Sequence, residues 1–187
     1  MLAPTAVGSL SPLLGPGTLV IPDQLVDRTT GREHTYYEAG GPVHVPFADP
    51  YCPRGRARAL AAAGASGWPV VDSGALVVIN GPRFSTRAES QWYAAQGWTL
   101  VGMTGHPEAA LARELALCYT PLALVTDTDA GVLEGEGVTQ EEVFREFGRN
   151  VARLRQLVLD LISALQAERR CPCPGVLDGI PLPFELP

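Results

Sequence analysis

The chain has 187 residues, 46% of them apolar, and carries a formal net charge of −6 at pH 7. Its length and apolar content suffice for one hydrophobic core, so we expect a single domain over residues 1–187. The acidic balance argues against a role in binding nucleic acid or a membrane surface. No apolar run reaches 18 residues, and no charged segment precedes an apolar one at the start. We therefore expect neither a membrane span nor a signal peptide.

The first half of the chain predicts short elements separated by loops rich in Gly and Pro. Residues 1–10 predict the end of a strand and a glycine turn, and residues 23–41 predict a polar loop. The other predicted elements are a short strand in 19–21, an extended piece in 44–47 and a helix in 54–63 whose arginines face solvent. Residues 70–79 predict one strand, or two with a turn at 72–74.

The second half alternates helices and strands, which favours an α/β fold. Thr86-x-x-Glu89 and Thr139-x-x-Glu142 are capping boxes that predict helix starts. The predicted elements are a helix in 86–96, a strand in 98–103, a helix in 107–117, an interior strand in 119–127, a Gly-rich loop in 130–137, a long helix from 139 and a Pro-rich tail in 171–187. Apolar residues at helical spacing predict that the long helix lies across the sheet; they are Val143, Phe144, Phe147, Val151, Leu154, Leu157, Val158, Leu161 and Ile162.

The most informative stretch is the end of the strand that precedes the first capping box. Gly81 and Pro82 stop the apolar run of residues 76–79, which places Phe84 and Ser85 at the carboxyl end of a strand. Open α/β sheets bind ligands at such ends. Two further strand ends, residues 101–104 and 124–129, could converge there. An aromatic ring, a hydroxyl-bearing turn and an acidic pair would together suit a nucleoside.

Each candidate residue also has a purely structural interpretation. The acidic pair Asp127 and Asp129 could cap a helix or a turn, and Phe84 or Met103 could be core residues. Thr104 could cap the following helix, and a lone histidine such as His44 is often only a surface residue. The residue pattern leaves these alternatives open.

The four cysteines are scattered at positions 52, 118, 171 and 173, which suits a reducing compartment. Cys171-Pro172-Cys173 suggests a metal site, but no second pair of Cys or His residues lies near it in the sequence. A structural zinc site would therefore be incomplete, and we predict no bound metal. Neither a Walker-type nor a G-x-G-x-x-G motif is present.

Several ordered blocks resemble the trimeric purine nucleoside phosphorylase family, in its methylthioadenosine phosphorylase branch. They are residues 20–29, 44–53, 81–89 and 103–109. The resemblance implies a mixed, twisted β-sheet flanked by helices. It also implies phosphorolysis of S-methyl-5′-thioadenosine to adenine and 5-methylthioribose 1-phosphate, within purine and methionine salvage. Further implications are a cytoplasmic homotrimer and inorganic phosphate as co-substrate, with no metal or organic cofactor.

The resemblance also implies roles for individual residues. Asp127 would be the catalytic acid, with its pKa raised by burial, and would favour a 6-aminopurine, because members that prefer 6-oxopurines generally carry Asn there. The other implied substrate contacts are Phe84, Ser85, Met103, Thr104, Asp129, Val143 and Phe144, with His44 reaching the 5′ end of a neighbouring subunit's substrate. Thr5, Ala6 and Thr104 would bind phosphate. A purine nucleoside or methylthioinosine phosphorylase is the alternative activity.

The resemblance covers nearly all of this chain but only about the C-terminal two-thirds of a family member. The family's Gly-rich first strand and a later Arg-His pair that holds phosphate have no counterpart in these residues. We therefore expect a sheet that lacks the family's first strands, has open edges, and carries a weakened phosphate site. Two hypotheses follow: the chain is a phosphorylase, or it is a fragment that binds purine nucleosides without turnover. Asn80 also departs from the family, which usually carries Glu there.

Overall fold

The computed structural model describes residues 1–37, 41–132, 137–165 and 168–183. Within these ranges the strands are β1 (Leu2–Ser9), β2 (Leu19–Ile21), β3 (Gln24–Asp27), β4 (Val70–Asp72), β5 (Ala75–Val78), β6 (Leu100–Gly102) and β7 (Thr120–Thr128). The helices are α1 (Pro53–Ala65), α2 (Arg87–Ala95), α3 (Glu108–Glu114) and α4 (Gln140–Ser163), with a 3₁₀ turn at Cys173–Gly175. Both predicted capping boxes are formed, at the starts of α2 and α4.

The strands form one mixed sheet in the order β3-β5-β6-β1-β7-β2-β4. Parallel pairs join β1 to β7, β2 to β4, β3 to β5 and β5 to β6. Antiparallel pairs join β1 to β6 and β2 to β7. The expectation of a mixed sheet with flanking helices is confirmed.

The sheet curls strongly, because two short connections join strands from opposite ends of it. Only Pro22 and Asp23 separate β2, sixth in the order, from β3, which is first. Across a flat sheet these strands would lie about 24 Å apart at a spacing of about 4.8 Å. Two intervening residues span at most about 11 Å. The connection from β4 to β5 imposes the same constraint, and Gly74 there has a φ of 126°.

In the first half of the chain, the structure extends one predicted element and contradicts another. Residues 1–10, predicted as the end of a strand and a turn, contain the eight-residue strand β1, which lies at the centre of the sheet and pairs with β7 throughout. Pro4 weakened the strand signal of this segment, because proline is rare inside sheets. It is tolerated here because β6 pairs only with Gly8 and Ser9, at the other end of β1. The supposed loop of residues 23–41 contains β3, whose four residues have polar ends and no clear alternation. Residues 44–47 form no strand, and residues 38–40 lie outside the described ranges.

The main hydrophobic core lies between the sheet and helices α1 and α4. The sheet contributes Leu19, Ile21, Leu122 and Leu124, and α4 contributes Leu154, Leu157 and Leu161. The long helix therefore lies across the sheet as predicted. Its apolar stripe is only partly used, since Phe144 and Ile162 are exposed.

Arg56 on α1 was predicted to face solvent, and this prediction is wrong. Its side chain is only 18% exposed and forms an ion pair with Asp72. Its guanidinium also donates to the carbonyls of Ile21 and Pro22, at 3.1 and 2.9 Å. Because these carbonyls lie where the chain leaves β2, Arg56 ties α1 to the bend in the sheet.

The predicted Gly-rich loop and Pro-rich tail are described only in part. The predicted Gly-rich loop is described except for residues 133–136, and the Pro-rich tail is described as far as residue 183, so residues 184–187 lie outside. In the described part of the chain, no helix is both long and apolar enough to cross a membrane.

Candidate active site

A cavity of about 420 Å³ opens beside the centre of the sheet, a size typical of small-molecule sites. Its walls come from β1, from the ends of β5, β6 and β7 with the turns that follow them, and from α4. The lining residues are Pro4, Thr5, Ala6, Val7, Gly8, Ile79, Phe84, Ser85, Val101, Gly102, Met103, Thr104, Thr126, Asp127, Asp129, Val143 and Phe147. The three strand ends that the sequence placed together therefore do meet.

A β-bulge shapes the acidic wall of the cavity. Val7 pairs with Val125, but the next residue, Gly8, pairs with Asp127, so Thr126 is an extra residue in β7. Bulges of this kind bend a strand and redirect its side chains. A Cβ atom on residue 8 would lie 2.9 Å from Asp127 Oδ1, so the glycine allows the carboxylate to lie against β1.

Burial raises the pKa of Asp127 to about 6, from an ordinary value of 3.8. The nearby Asp129 and Glu142 add to this rise, while the Thr126 hydroxyl, 2.9 Å from Asp127 Oδ2, opposes it by stabilising the charged form. A carboxyl group with this pKa exchanges its proton near neutral pH. Asp127 is thus suited to act as an acid at the cavity wall.

Asp129 is held differently from Asp127. It is only 4% exposed, and its Oδ2 accepts a hydrogen bond of 2.5 Å from the Ser90 hydroxyl on α2. Its backbone N–H donates to the carbonyl of Ser9. Neither acid caps a helix in the structure. Asp129 joins the end of β7 to α2 and to β1, while Asp127 forms part of the cavity wall.

The turn after β5 places Phe84 and Ser85 on the cavity, as part of the segment that leads into α2. Phe84 is half-buried, and Ser85 is buried. The Ser85 hydroxyl has no hydrogen-bond partner in the described part of the protein. Because a buried hydroxyl without a partner costs about 1–3 kcal/mol, this group is poised to bond to a ligand.

Two threonines from separate strands meet at another part of the wall. Thr5 on β1 and Thr104 after β6 have their hydroxyl oxygens 2.7 Å apart. Ala6 and Met103 line the cavity beside them. Gly81 has a φ of 70°, and a Cβ there would collide with the Met103 sulfur, so the glycine lets the turn after β5 approach β6.

Helix α4 contributes an apolar wall of Val143 and Phe147. The prediction had paired Val143 with Phe144, but the Phe144 side chain is 64% exposed and lies outside the cavity lining. Phe147 was missed as a site residue, although its spacing of four residues from Val143 places both on one face of a helix.

His44 is exposed and does not line the cavity of this chain. Its expected contact with a neighbouring subunit stays a prediction. Asn80 exchanges hydrogen bonds with Thr30, accepting from its backbone N–H at 2.9 Å and donating to its carbonyl at 3.2 Å. The side chain therefore joins the end of β5 to the segment that follows β3.

Comparison with known proteins agrees with this fold and cavity. Residues 1–163 match the sequence model of the phosphorylase superfamily. The chain is 58% identical to a purine nucleoside phosphorylase from Streptomyces coelicolor and to an S-methyl-5′-thioadenosine phosphorylase from Mycolicibacterium smegmatis, in each case over 100% of this chain and 70% of the relative. A variant of the adenosine/methylthioadenosine phosphorylase of Schistosoma mansoni, solved with adenine, superposes with a TM-score of 0.85. That structure is 38% identical and covers 90% of this chain and 67% of its own.

This chain therefore belongs to the phosphorylase superfamily, and within it to the nucleoside phosphorylases, which are pentosyltransferases. The resemblance inferred from the ordered blocks is confirmed, as is the fold that it implied. The chain spans about 70% of the length of the relatives at 58% identity. Those relatives carry two different names, so identity alone does not select the nucleoside.

Proposed function

We propose that this chain catalyses the phosphorolysis of S-methyl-5′-thioadenosine to adenine and 5-methylthioribose 1-phosphate. The observation that carries the proposal is the meeting, on one cavity, of a protonatable Asp127 and the unpartnered hydroxyl of Ser85. Relatives at 58% identity from Mycolicibacterium smegmatis and Mycobacterium tuberculosis are named as enzymes of this activity.

The base would bind between Phe84 and the acidic wall. An aromatic ring stacks on a purine, and Asp127 can accept a hydrogen bond from the exocyclic N6 amine. When protonated, the same carboxyl group can donate to N7 of the departing adenine. A pKa of about 6 makes the protonated form accessible near neutral pH. The proton neutralises negative charge that grows on the purine as its bond to C1′ breaks.

The preference for a 6-aminopurine rests on Asp127. A 6-oxopurine presents an acceptor at C6, which faces an ionised carboxylate unfavourably. The alternative is a purine nucleoside phosphorylase that acts on 6-oxopurines. One observation supports it: the Streptomyces coelicolor relative, which is equally identical to this chain, is named a purine nucleoside phosphorylase. The family resemblance implies that Ser85 supports the methylthioadenosine assignment, because the purine nucleoside phosphorylase branch carries Glu at this position.

The 5′ group would lie against α4. Val143 and Phe147 form an apolar wall there, and a thioether needs an apolar wall more than hydrogen-bond partners. Phe147 takes the place that the sequence interpretation had given to Phe144. Met103 would pack near the ribose.

Phosphate would bind beside Thr5, Ala6 and Thr104. The paired hydroxyls can each donate to a phosphate oxygen once their mutual contact opens. Phosphate then attacks C1′: a C1′–O bond forms while the bond between C1′ and the purine nitrogen breaks, through an oxocarbenium-like transition state. Orientation of the two reactants and protonation of the base supply the catalysis. In this proposal no metal or organic cofactor takes part.

We also propose that the protein works as a cytoplasmic homotrimer. An exposed His44 is available to reach a neighbouring subunit, as the family resemblance implies. The four cysteines are not paired in disulfides, which suits a reducing compartment. Sedimentation equilibrium would test the trimer, and a monomeric mass at micromolar concentration would contradict it.

The activity is tested by incubating the 187-residue chain with S-methyl-5′-thioadenosine, with and without phosphate, and measuring adenine. Phosphate-dependent release is expected. Faster turnover of inosine or methylthioinosine would favour the 6-oxopurine alternative. Binding of methylthioadenosine without any release would favour a non-catalytic nucleoside-binding protein.

A further inference from the structure

Four cysteines from three distant parts of the chain meet on the side of the fold where α1 begins. Cys52 caps α1, Cys118 precedes β7, and Cys171 and Cys173 belong to the segment around the 3₁₀ turn. Their four Sγ atoms all lie within 4.8 Å of one another, and none forms a disulfide. The second pair that the sequence seemed to lack is supplied by Cys52 and Cys118.

The spacing of the sulfurs suits tetrahedral coordination. With a Zn–S distance of about 2.3 Å, the sulfurs of a tetrathiolate site lie about 3.8 Å apart. The Cys118 and Cys171 sulfurs are 3.4 Å apart, and no pair exceeds 4.8 Å. Shifts of about 1 Å or less would therefore place all four around one ion. Four soft sulfur ligands select zinc over hard cations such as magnesium or calcium.

The surroundings favour a thiolate at Cys52 in particular. The N-terminus of α1 carries partial positive charge, and its Gly55 N–H donates to Cys52 Sγ at 3.4 Å. Arg54, Arg58 and Arg169 line the cavity that adjoins Cys52, Cys118 and Cys171. A zinc ion with four thiolates has a net charge of −2, which these guanidinium groups would offset.

The ligands are also held in place by contacts that need no metal. Arg54 donates to the carbonyl of Glu168 at 2.8 Å, and Arg169 donates to the carbonyl of Ala116 at 2.9 Å. These bonds hold the segment that carries Cys171 and Cys173 against α1 and the start of β7. Cys52 and Cys173 are buried, while Cys118 and Cys171 are half-buried beside the cavity.

We propose that Cys52, Cys118, Cys171 and Cys173 bind one zinc ion in a structural tetrathiolate site. Four protein ligands leave no open position for substrate, which separates structural from catalytic zinc. None of the four lines the nucleoside cavity. The ion would cross-link the C-terminal segment to α1 and β7, and would stabilise the fold without entering the reaction.

The direct test is metal analysis of the 187-residue chain, purified without chelators under reducing conditions. About one zinc per chain is expected, falling below about a tenth in Cys52→Ser and in Cys173→Ser. The control is His106→Asn, because Asp27, His34 and His106 form the other group of possible ligands in the described residues. This variant should keep its zinc, and loss of zinc there would move the site and overturn the proposal.

Two further measurements keep the test independent of whether the serine variants fold. Cobalt added to the metal-free wild-type chain should give the thiolate charge-transfer band and intense visible bands of tetrahedral Co²⁺. Removal of zinc should lower Tm while leaving the affinity for adenine unchanged. Four titratable thiols with no metal, disulfides between the pairs, or iron in place of zinc would each overturn the assignment.

Discussion

The nucleoside cavity and the cysteine cluster both gather residues from distant segments, but they differ in how their polar atoms are satisfied. In the cavity, the Ser85 hydroxyl has no hydrogen-bond partner among the described residues, and burial disfavours the charged form of Asp127. In the cluster, each sulfur lies close to the other three, and Cys52 also accepts from a backbone N–H. An unsatisfied hydroxyl is suited to a ligand that comes and goes, whereas four closely spaced sulfurs are suited to a permanently bound ion.

This contrast predicts that changes in the cavity alter turnover more than stability, and that changes in the cluster do the reverse. The largest effect is expected from Asp127→Asn. It should lower kcat/KM for S-methyl-5′-thioadenosine by about 100-fold or more, because an amide cannot donate the proton of a carboxylic acid. Steady-state kinetics with Asp160→Asn as control measures it, since Asp160 is exposed on α4 and should leave kcat/KM unchanged. A large loss of Tm in Asp127→Asn at pH 7 would contradict the expectation that changes in the cavity affect turnover more than stability.

The second prediction concerns pH, and it tests the same carboxyl group without substrate. The folded pKa of about 6 lies above the unfolded value of 3.8, so the native state binds more protons between these values. Asp127 should therefore lower the free energy of unfolding by about 2 kcal/mol as pH rises from 4 to 6. Thermal melts of the wild type and Asp127→Asn should diverge over this window, with the wild type losing stability relative to the variant. Parallel profiles would show that Asp127 is not desolvated.

The third prediction compares two phenylalanines. Phe84→Ala should raise the KM for the nucleoside about tenfold, because a stacking contact is worth about 1 kcal/mol beyond the apolar area that it buries. Phe144→Ala removes the same side chain from an exposed position outside the cavity and should leave KM unchanged. Equal effects of the two variants on KM would contradict the finding that Phe144 lies outside the cavity. The inhibition constant of adenine provides a second measurement of the same contact.

The smallest effects are expected from alanine substitutions of two buried serines, Ser90 and Ser85, which should differ in what they change. Ser90→Ala should lower the free energy of unfolding by about 1–2 kcal/mol, because it leaves the buried Asp129 carboxylate without its 2.5 Å hydrogen bond. Ser85→Ala removes a hydroxyl that has no partner in the described structure and should cost no stability, while weakening nucleoside binding a few-fold. Chemical denaturation and ligand titration of both variants would sharpen the comparison. A destabilised Ser85→Ala would mean that its hydroxyl is already satisfied.

Local sequence patterns correctly predicted the elements that have a capping box or a long apolar run. The two capping boxes located the starts of α2 and α4, and an uninterrupted apolar run predicted β7 as an interior strand. The length of β1 and the existence of β3 were missed for physical reasons. β1 contains a proline in a strand with one partially free side, and β3 owes its conformation to pairing with β5 rather than to its own residues.

Nine of the predicted site residues line the cavity. Most of them lie at or after strand ends, whereas Thr5, Ala6 and Val143 were predicted from the family resemblance alone. No local pattern signalled the bulge at Thr126, since a bulge depends on the register between two strands that are far apart in the sequence. Phe147 and Phe144 both fall on the apolar stripe of α4. Only the orientation of the packed helix decides which of them contacts the cavity.

By itself, the sequence determined the α/β character of the fold, the family, the strand end that carries Phe84 and Ser85, and the acidic residues of β7. These depend on short-range periodicity, turn chemistry and motifs, which neighbouring residues express directly. Only the tertiary structure decided that the sheet curls, that Asp127 lines the cavity while Asp129 is bonded to Ser90, and that four scattered cysteines meet. Each of these depends on contacts between residues far apart in the chain, and such contacts exist only after the sheet has closed and the helices have packed against it.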